Sequence, residues 1–372
     1  MKILVAGDFC PQHRVADTFG QDDYHDVLGG IKEMVLDADY SIVNFECPVT
    51  LGSEKPISKI GPNLKCSKKG LYAVKWVGFK CVTLANNHIR DFGELGVKNT
   101  IDVCREFGLD TVGAGINAEK ASKILYKDIA GKRLAIINCC EHEFSIVTDT
   151  TAGANPLNTI KQYYAIREAR NNADYVLVIV HGGYEHHQLP SPRMQDTYRF
   201  FVDVGADAVI NHHQHCYSGY EQYKERPIFY GLGNFCFDGN RCKKELWHEG
   251  YMVMLTFEES VDFKIIPYRQ CGESPTIEIL RDNVYSDRIE ELNKIISDPI
   301  KLKQETDSYY ASCAGGYSNI FEPFNNRYYL GAKARGWLPS FISKKRKLMA
   351  ANYILCESHR DKLAYWLNNN DI

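Results

Sequence analysis

No apolar run in the sequence approaches the ~20 residues that a helix needs to cross a bilayer, so no segment reads as a membrane span. Basic charge is not in excess: 44 Lys+Arg against 47 Asp+Glu leaves a formal charge of −3. A generic nucleic-acid binder would carry a strong basic surplus, so nucleic acid is not an expected partner. The 13 cysteines contain no CxxC and only one adjacent pair, Cys139-Cys140. Scattered thiols of this kind read as reduced, buried small hydrophobes rather than a disulfide framework. Internal repeats and low-complexity tracts are absent too. The start, Met1-Lys2-Ile3-Leu4-Val5-Ala6-Gly7-Asp8, lacks the pattern of a signal peptide, because its apolar stretch is short and runs into an acidic turn. It reads as a first buried strand, and the expected compartment is the cytoplasm. Dominant disorder is excluded by an aromatic content of 12%.

What is present is a chain of 372 residues, long enough for one large domain or two ordinary ones. Strand-like runs occur at 3–6, 41–45, 81–85, 111–113, 133–139, 175–180, 208–210 and 228–232. Amphipathic helical stretches lie between several of them, at 24–38, 68–77, 95–107, 157–172 and 194–204. This alternation predicts α/β layers with much of the sheet covered on both faces. Runs at 217–223, 251–257 and 261–267 follow one another without helices and predict an antiparallel β region. The division expected is 1–270 for the main domain and 271–372 for a mainly helical extension. In the latter, helices at 288–296 and 344–367 are separated by a Tyr/Gly/Asn-rich stretch, 309–336.

Polar residues fall where these strands end. Asp8 closes the first, Asn44-Phe45-Glu46 the second, and Asn86-Asn87-His88 follows the third; His181, His212-His213-Gln214-His215 and Asn234 follow later ones. In open α/β sheets ligands gather beyond the carboxyl ends of strands, so these groups are expected at one sheet edge, in one crevice. A lone Asp after a strand is commonly a helix cap, and Asn-Asn-His serves well in a turn. Three imidazoles within four residues are harder to assign to packing. Carboxylate, amide and imidazole together suit one or two divalent ions such as Mn, Fe or Zn. A pair ~3.5–4 Å apart would activate water and clamp a reacting centre, and Glu46 is placed to bridge it.

The motifs Gly7-Asp8, Asn44-Phe45-Glu46, Leu84-Ala85-Asn86-Asn87-His88 with Asp91 and Gly93, His181-Gly182-Gly183-Tyr184-Glu185, His213-Gln214-His215 with Glu221, and Gly231 to Asp238 resemble a known family. It is the CapA-like proteins of capsule and poly-γ-glutamate synthesis, within the calcineurin-like metallophosphoesterase superfamily, and the likeness runs from Met1 to about Pro267. The tail Cys356-Glu357-Ser358-His359-Arg360 resembles family tails less distinctively. The resemblance implies a four-layer αββα sandwich with two metals at the sheet edge. It makes Asp8 and His215 ligands of a first metal, Glu46 a bridge, and Asn87, His181 and His213 ligands of a second. His88, aided by Asp91, becomes the general acid or transition-state stabiliser, and Glu185, Asn234 and Glu221 become substrate-side residues. Cys10 stands where the superfamily has a histidine, so the first metal is one ligand short unless Cys10 or the nearby His13 supplies it. Asn211, Gln214 and Gly182 are further departures.

The implied activity is metal-dependent hydrolysis, with metal-bound hydroxide attacking a phosphoester, or an acyl or amide bond, during capsule, poly-γ-glutamate or surface polysaccharide synthesis. The alternative is a non-catalytic accessory subunit that holds an anionic polymer or a sugar phosphate. Lys344-Lys345-Arg346-Lys347 reads as a solvated helix start, or as a peripheral contact with anionic lipid or polymer. The sequence sets no oligomeric state.

Overall fold

A computed structural model describes residues 1–355, apart from 60, 240–243, 319–321, 323, 325 and 340. The chain separates into two compact units, Met1–Lys303 and Gln304–Ile372. The first unit thus runs past residue 270, where the composition changes. The Ile277–Ile279 strand pairs with Val261–Gln270, and Leu292 and Ile296 of the Ser286–Ile296 helix belong to its core.

Two sheets face each other. In the first, the order is 277–279, 261–270, 249–257, 2–9, 40–45, 81–83 and 110–112, with 234–236 pairing beside 2–9. In the second it is 220–223, 226–229, 208–212, 175–181, 132–140 and 125–129. The central strands of each are parallel, joined by helices. Side chains alternate along Lys2–Phe9. Ile3 and Val5 meet the second sheet's Leu134, Val178 and Ile210 in one core. Leu4 and Ala6 meet Leu71, Val74 and Val97, from helices Lys68–Val77 and Gly93–Phe107, in another. On the second sheet's outer side, Ile166 and Phe201 come from helices Thr159–Asn172 and Pro192–Val204. Helix, sheet, sheet, helix is the expected four-layer αββα order. The last two helices start where Asn158 and Ser191 accept the N–H groups of Lys161 and Met194, satisfying donors that a helix start leaves open.

Several expectations change. The late strands form no separate region: 249–257 extends the first sheet antiparallel to Lys2–Phe9 and 261–270 pairs antiparallel to 249–257 in turn, while 220–223 closes an edge of the second. The stretch 24–38 is not one helix but His25–Leu28, a 3₁₀ turn at Gly29–Ile31, and Lys32–Asp37. Adjacent glycines weaken a continuous α-helix there. Much of 309–336 is helical, in Pro299–Ser318 and Arg327–Ala334. Lys344–Leu355 is a helix as far as the described residues go; the rest of the 344–367 expectation and the tail at 356–360 lie outside them. Within the C-terminal unit the buried Glu322 carboxylate accepts from Tyr329 Oη (3.0 Å) and Phe341 N (3.1 Å) and pairs with Lys333 (2.7 Å). No helix among the described residues is long and apolar enough to cross a membrane. The described cysteines are free, and ten of the eleven are buried.

Candidate metal centre

The polar strand exits converge, but from two sheets rather than one edge. Asp8, Glu46 and Asn87 come from the first, and His181, His213 and His215 from the second. Chain crossing is tight here. A Cβ on Gly7 would lie 2.0 Å from Gly233 O, so only glycine lets Lys2–Phe9 approach the 233–234 turn.

Asp8 is 1% exposed. Its Oδ1 accepts from Asn44 Nδ2 (2.7 Å) and its Oδ2 from His213 N–H (3.2 Å). Burial nevertheless pushes its carboxyl up to about 7. Glu46, at 0% exposure, has neither carboxylate oxygen hydrogen-bonded. Burial first, and the neighbouring Asp8 second, hold it well above the ordinary carboxylate range. Leaving a buried carboxylate without a donor is costly. A cation is the partner that such a group lacks.

The surrounding atoms fit one. His181 Nε2 lies 3.0 Å from Asn87 Oδ1, 3.1 Å from His213 Nδ1 and 3.6 Å from Glu46 Oε1. Ligands about 2.0–2.2 Å from a common ion sit roughly 3.0–3.6 Å apart. His181 Nε2 thus stands at coordination spacing from the other three, and the four are the set expected for the second metal. The first-metal residues cluster separately: Asp8, Glu46 and His215 bring one ligand atom each within 4.8 Å of one another. His215 Nε2 is 3.7 Å from Glu46 Oε1 and its Nδ1 is 3.7 Å from Asp8 Oδ2. Glu46 is common to both sets, in the place of a bridge. His213 and His215 reach these positions from positive φ values, 94° and 54°. Such backbone is strained for a residue with a Cβ and is concentrated at functional sites.

Burial and neighbouring imidazoles keep His181 and His215 well below the ordinary histidine range, and burial lowers His213. The metal-free centre is therefore pulled two ways. A raised Asp8 favours folding at low pH, and that contribution is lost as pH rises from about 3.8 toward 7. Depressed histidines favour folding above about 6.5, and that contribution is lost as pH falls below it. Metal ligation needs both groups deprotonated. Titrating Mn²⁺ into the metal-free protein at pH 6 is thus expected to release protons, read calorimetrically as a heat that changes with the buffer's ionisation enthalpy. A buffer-independent heat would contradict it.

Other expected site residues have different surroundings. Asn234 Oδ1 lies 2.9 Å from His215 Nδ1, which makes it an orienting partner of that ring. Glu185 is exposed, yet its carboxylate groups with His213 and His215. Glu221 is not brought to the centre; Arg199 grips it at 2.6 and 3.0 Å, and Tyr230 Oη donates to it. Cys10 does not fill the gap. It is fully buried, accepts from Gln12 Nε2 (3.3 Å), and like His13 is in none of the ligand groups among the described residues. His212 turns away and contacts Ala6 O (3.1 Å).

His88 Nδ1 lies 2.6 Å from Asp91 Oδ2, which leaves Nε2 as the ring's remaining proton site. Sequence reasoning missed Lys59. Its side chain is 1% exposed, pairs with the Asp91 carboxylate and lies 3.1 Å from His88 Nδ1. It comes from an irregular stretch with no motif, so nothing in the sequence marked it. Glu143, also missed, accepts from Asn87 Nδ2 at 2.8 Å.

Residues 2–239 match the family described as bacterial capsule synthesis protein PGA_cap. The chain belongs to that family, which falls within the metallophosphoesterase-like superfamily. Among relatives, it is 34% identical over 246 residues to the capsule biosynthesis protein CapA of Bacillus anthracis, covering 64% of this chain and 60% of that one. It is 33% identical over 204 residues to the PGA biosynthesis protein CapA of Bacillus subtilis, covering 54% of each. The chain thus spans little more than half the length of these relatives. Of solved structures, a hypothetical protein of Thermus thermophilus aligns with a TM-score of 0.46 at 15% identity, over 71% of this chain and 99% of that one. The PGA_cap match contains all six residues of the two ligand sets, from Asp8 to His215, and ends before the C-terminal unit begins.

Proposed function

We propose that this PGA_cap protein is a metal-dependent hydrolase of the phosphoesterase type, acting in capsule, poly-γ-glutamate or surface polysaccharide synthesis. The observation that carries the reading is Glu46, buried without a donor between two groups of ligand atoms. Asp8, Glu46 and His215 would hold one divalent cation, and Glu46, Asn87, His181 and His213 the other. When bound, such ions supply Lewis acidity toward a phosphoryl or acyl oxygen and lower the pKa of water. The chain's own residues do the rest. Asn44 orients Asp8, Asn234 orients His215, and Asp91 holds the His88 ring so that Nε2 can hand a proton to a leaving oxygen or bind developing charge.

The test uses metal-stripped protein with Mn²⁺ or Zn²⁺ restored, on p-nitrophenyl phosphomono- and diesters. Metal-dependent turnover that disappears in His213→Ala supports the reading. Turnover that persists in that variant overturns it. One observation favours an accessory subunit instead: Cys10 lies in the core and leaves the first set with three protein ligands. Tight metal binding with no turnover on any ester, together with chelator-sensitive retention of poly-γ-glutamate, would select that second reading.

An anionic lipid surface is the second partner proposed. Residues 323–356 contain seven Lys/Arg and no Asp/Glu, whereas the rest of the chain holds 37 against 47. Trp337, Leu348 and Phe341 stand 74%, 63% and 50% exposed around the Lys344–Lys347 run. A soluble polyanion would use the charge but not these apolar side chains; a bilayer interface uses both. At about 1 kcal/mol per cation, changing Lys344, Lys345, Arg346 and Lys347 to Ala is expected to weaken binding to phosphatidylserine-containing vesicles by roughly 10³-fold in co-sedimentation. Equal binding by the variant would refute the contact.

A further inference from the structure

We propose that Glu185 is a second bridging carboxylate of the metal pair, closing the centre from the solvent side and replacing the ligand that Cys10 does not supply. The inference rests on the metal-centre reading above and names a residue that reading leaves on the substrate side.

The ligand atoms form three overlapping triads. Glu46 is shared by Glu46–His181–His213 and Asp8–Glu46–His215. The third triad, Glu185–His213–His215, takes one histidine from each. A carboxylate within reach of one imidazole from each cation position is placed as a bridge. Its oxygen lies within 4.8 Å of a ring nitrogen of each histidine. Glu46 and Glu185 contrast in exposure. The first is fully buried and the second exposed, so one lies on the floor and the other at the mouth.

The loop that carries Glu185 is fixed to the histidine loop. His186 N–H donates to Gln214 O at 2.7 Å, between the two ligand histidines. Gly183 turns the chain at φ 107°, and its N–H donates to Glu141 Oε2 at 3.2 Å. The buried, donor-less Glu46 oxygens mark the cation position of the other two triads, which share His213 and His215 with this one. An exposed carboxylate held by ions is also the ligand that an incoming phosphate or carboxylate group can most readily displace.

The experiment is Mn²⁺ titration into the metal-stripped full chain, with metal content after gel filtration as a second readout, for wild type, Glu185→Gln and Cys10→Ala. Wild type is expected to retain two ions. Glu185→Gln should bind the weaker ion at least tenfold less tightly and retain about one after filtration, while Cys10→Ala should match wild type. Co²⁺ loaded in place of Mn²⁺ should show no sulfur-to-metal charge-transfer band. Because Glu185 is exposed, the urea midpoint of its variant in chelator should equal that of wild type, which separates ligand loss from misfolding. Wild-type stoichiometry and affinity in Glu185→Gln would overturn the proposal, as would equal weakening in Cys10→Ala with a sulfur band present. Wild type that binds no Mn²⁺ would overturn the metal-centre reading and this inference together, an outcome distinct from either of those.

Discussion

Glu46→Gln is expected to make the metal-free protein more stable and, in the same stroke, abolish its stabilisation by metal. In the wild type a carboxyl group is buried at 0% exposure with no donor on either oxygen. After burial, the neighbouring Asp8 is the main cause that holds the Glu46 carboxyl above the ordinary carboxylate range. At pH 8 the metal-free fold must either keep Glu46 protonated against the solvent's pH or carry a bare charge. Gln removes that choice and offers an N–H to the Asp8 side. Relief of an unsatisfied buried polar group is worth about 1–3 kcal/mol, so the variant's urea midpoint in chelator should rise. The opposite holds with metal present. An ion at a hundred times its Kd stabilises the wild type by about 2.7 kcal/mol through linkage alone. Glu46→Gln forfeits the residue shared by both ligand sets and should gain little. Unfolding curves at pH 8, with and without Mn²⁺, read both signs. A variant less stable than wild type in chelator yet equally protected by Mn²⁺ would sink the argument. The pattern expected is a site that lowers the stability of its own scaffold, as functional sites commonly do.

How far the sequence carried can be judged from particular residues. The α/β layering was readable because helices intervene between strands at regular spacing, whereas the four-layer order followed only from the family resemblance; its basis is that strands such as Lys2–Phe9 alternate between two cores. The expected ligands Asp8, Glu46, Asn87, His181, His213 and His215 meet because parallel strands in both sheets end on the same side, and strand ends can be located from hydrophobic patterning alone. What could not be read depends on long-range placement. Which sheet receives 249–257 is decided by pairing with Lys2–Phe9, some 250 positions away, and 261–270 follows by pairing with 249–257. Glu221 shares a motif with His213 and His215, but the fold delivers its carboxylate to Arg199. Lys59 lies in a stretch without periodicity, and only the folded loop turns it inward. The break at Gly29-Gly30 was readable from composition, but the apolar spacing on either side still suggested one helix.

That Lys59 side chain carries the other large effect. Lys59 and Asp91 form an ion pair at 1% and 0% side-chain exposure, and Asp91 also accepts from Leu64 N–H (2.7 Å) and contacts His88 Nδ1. Removing one partner of a buried pair strands the other charge, at a cost of about 3–5 kcal/mol. Lys59→Met and Asp91→Asn are each expected to lower stability by roughly that amount. The double variant should lose much less than their sum, because neither charge is left unpaired. Urea unfolding of the four proteins completes the cycle; strict additivity would mean that the pair is not coupled. The catalytic consequence differs. Asp91 holds His88 Nδ1 at 2.6 Å and Lys59 lies 3.1 Å from the same nitrogen, so the double variant, which removes both contacts, should recover stability without recovering turnover. For phosphodiester hydrolysis, loss of the positioned proton donor in His88→Ala should lower kcat by about 10²–10⁴ while Mn²⁺ stoichiometry stays at the wild-type value. Unchanged kcat in His88→Ala would remove His88, and with it the Lys59–Asp91 support, from the chemistry.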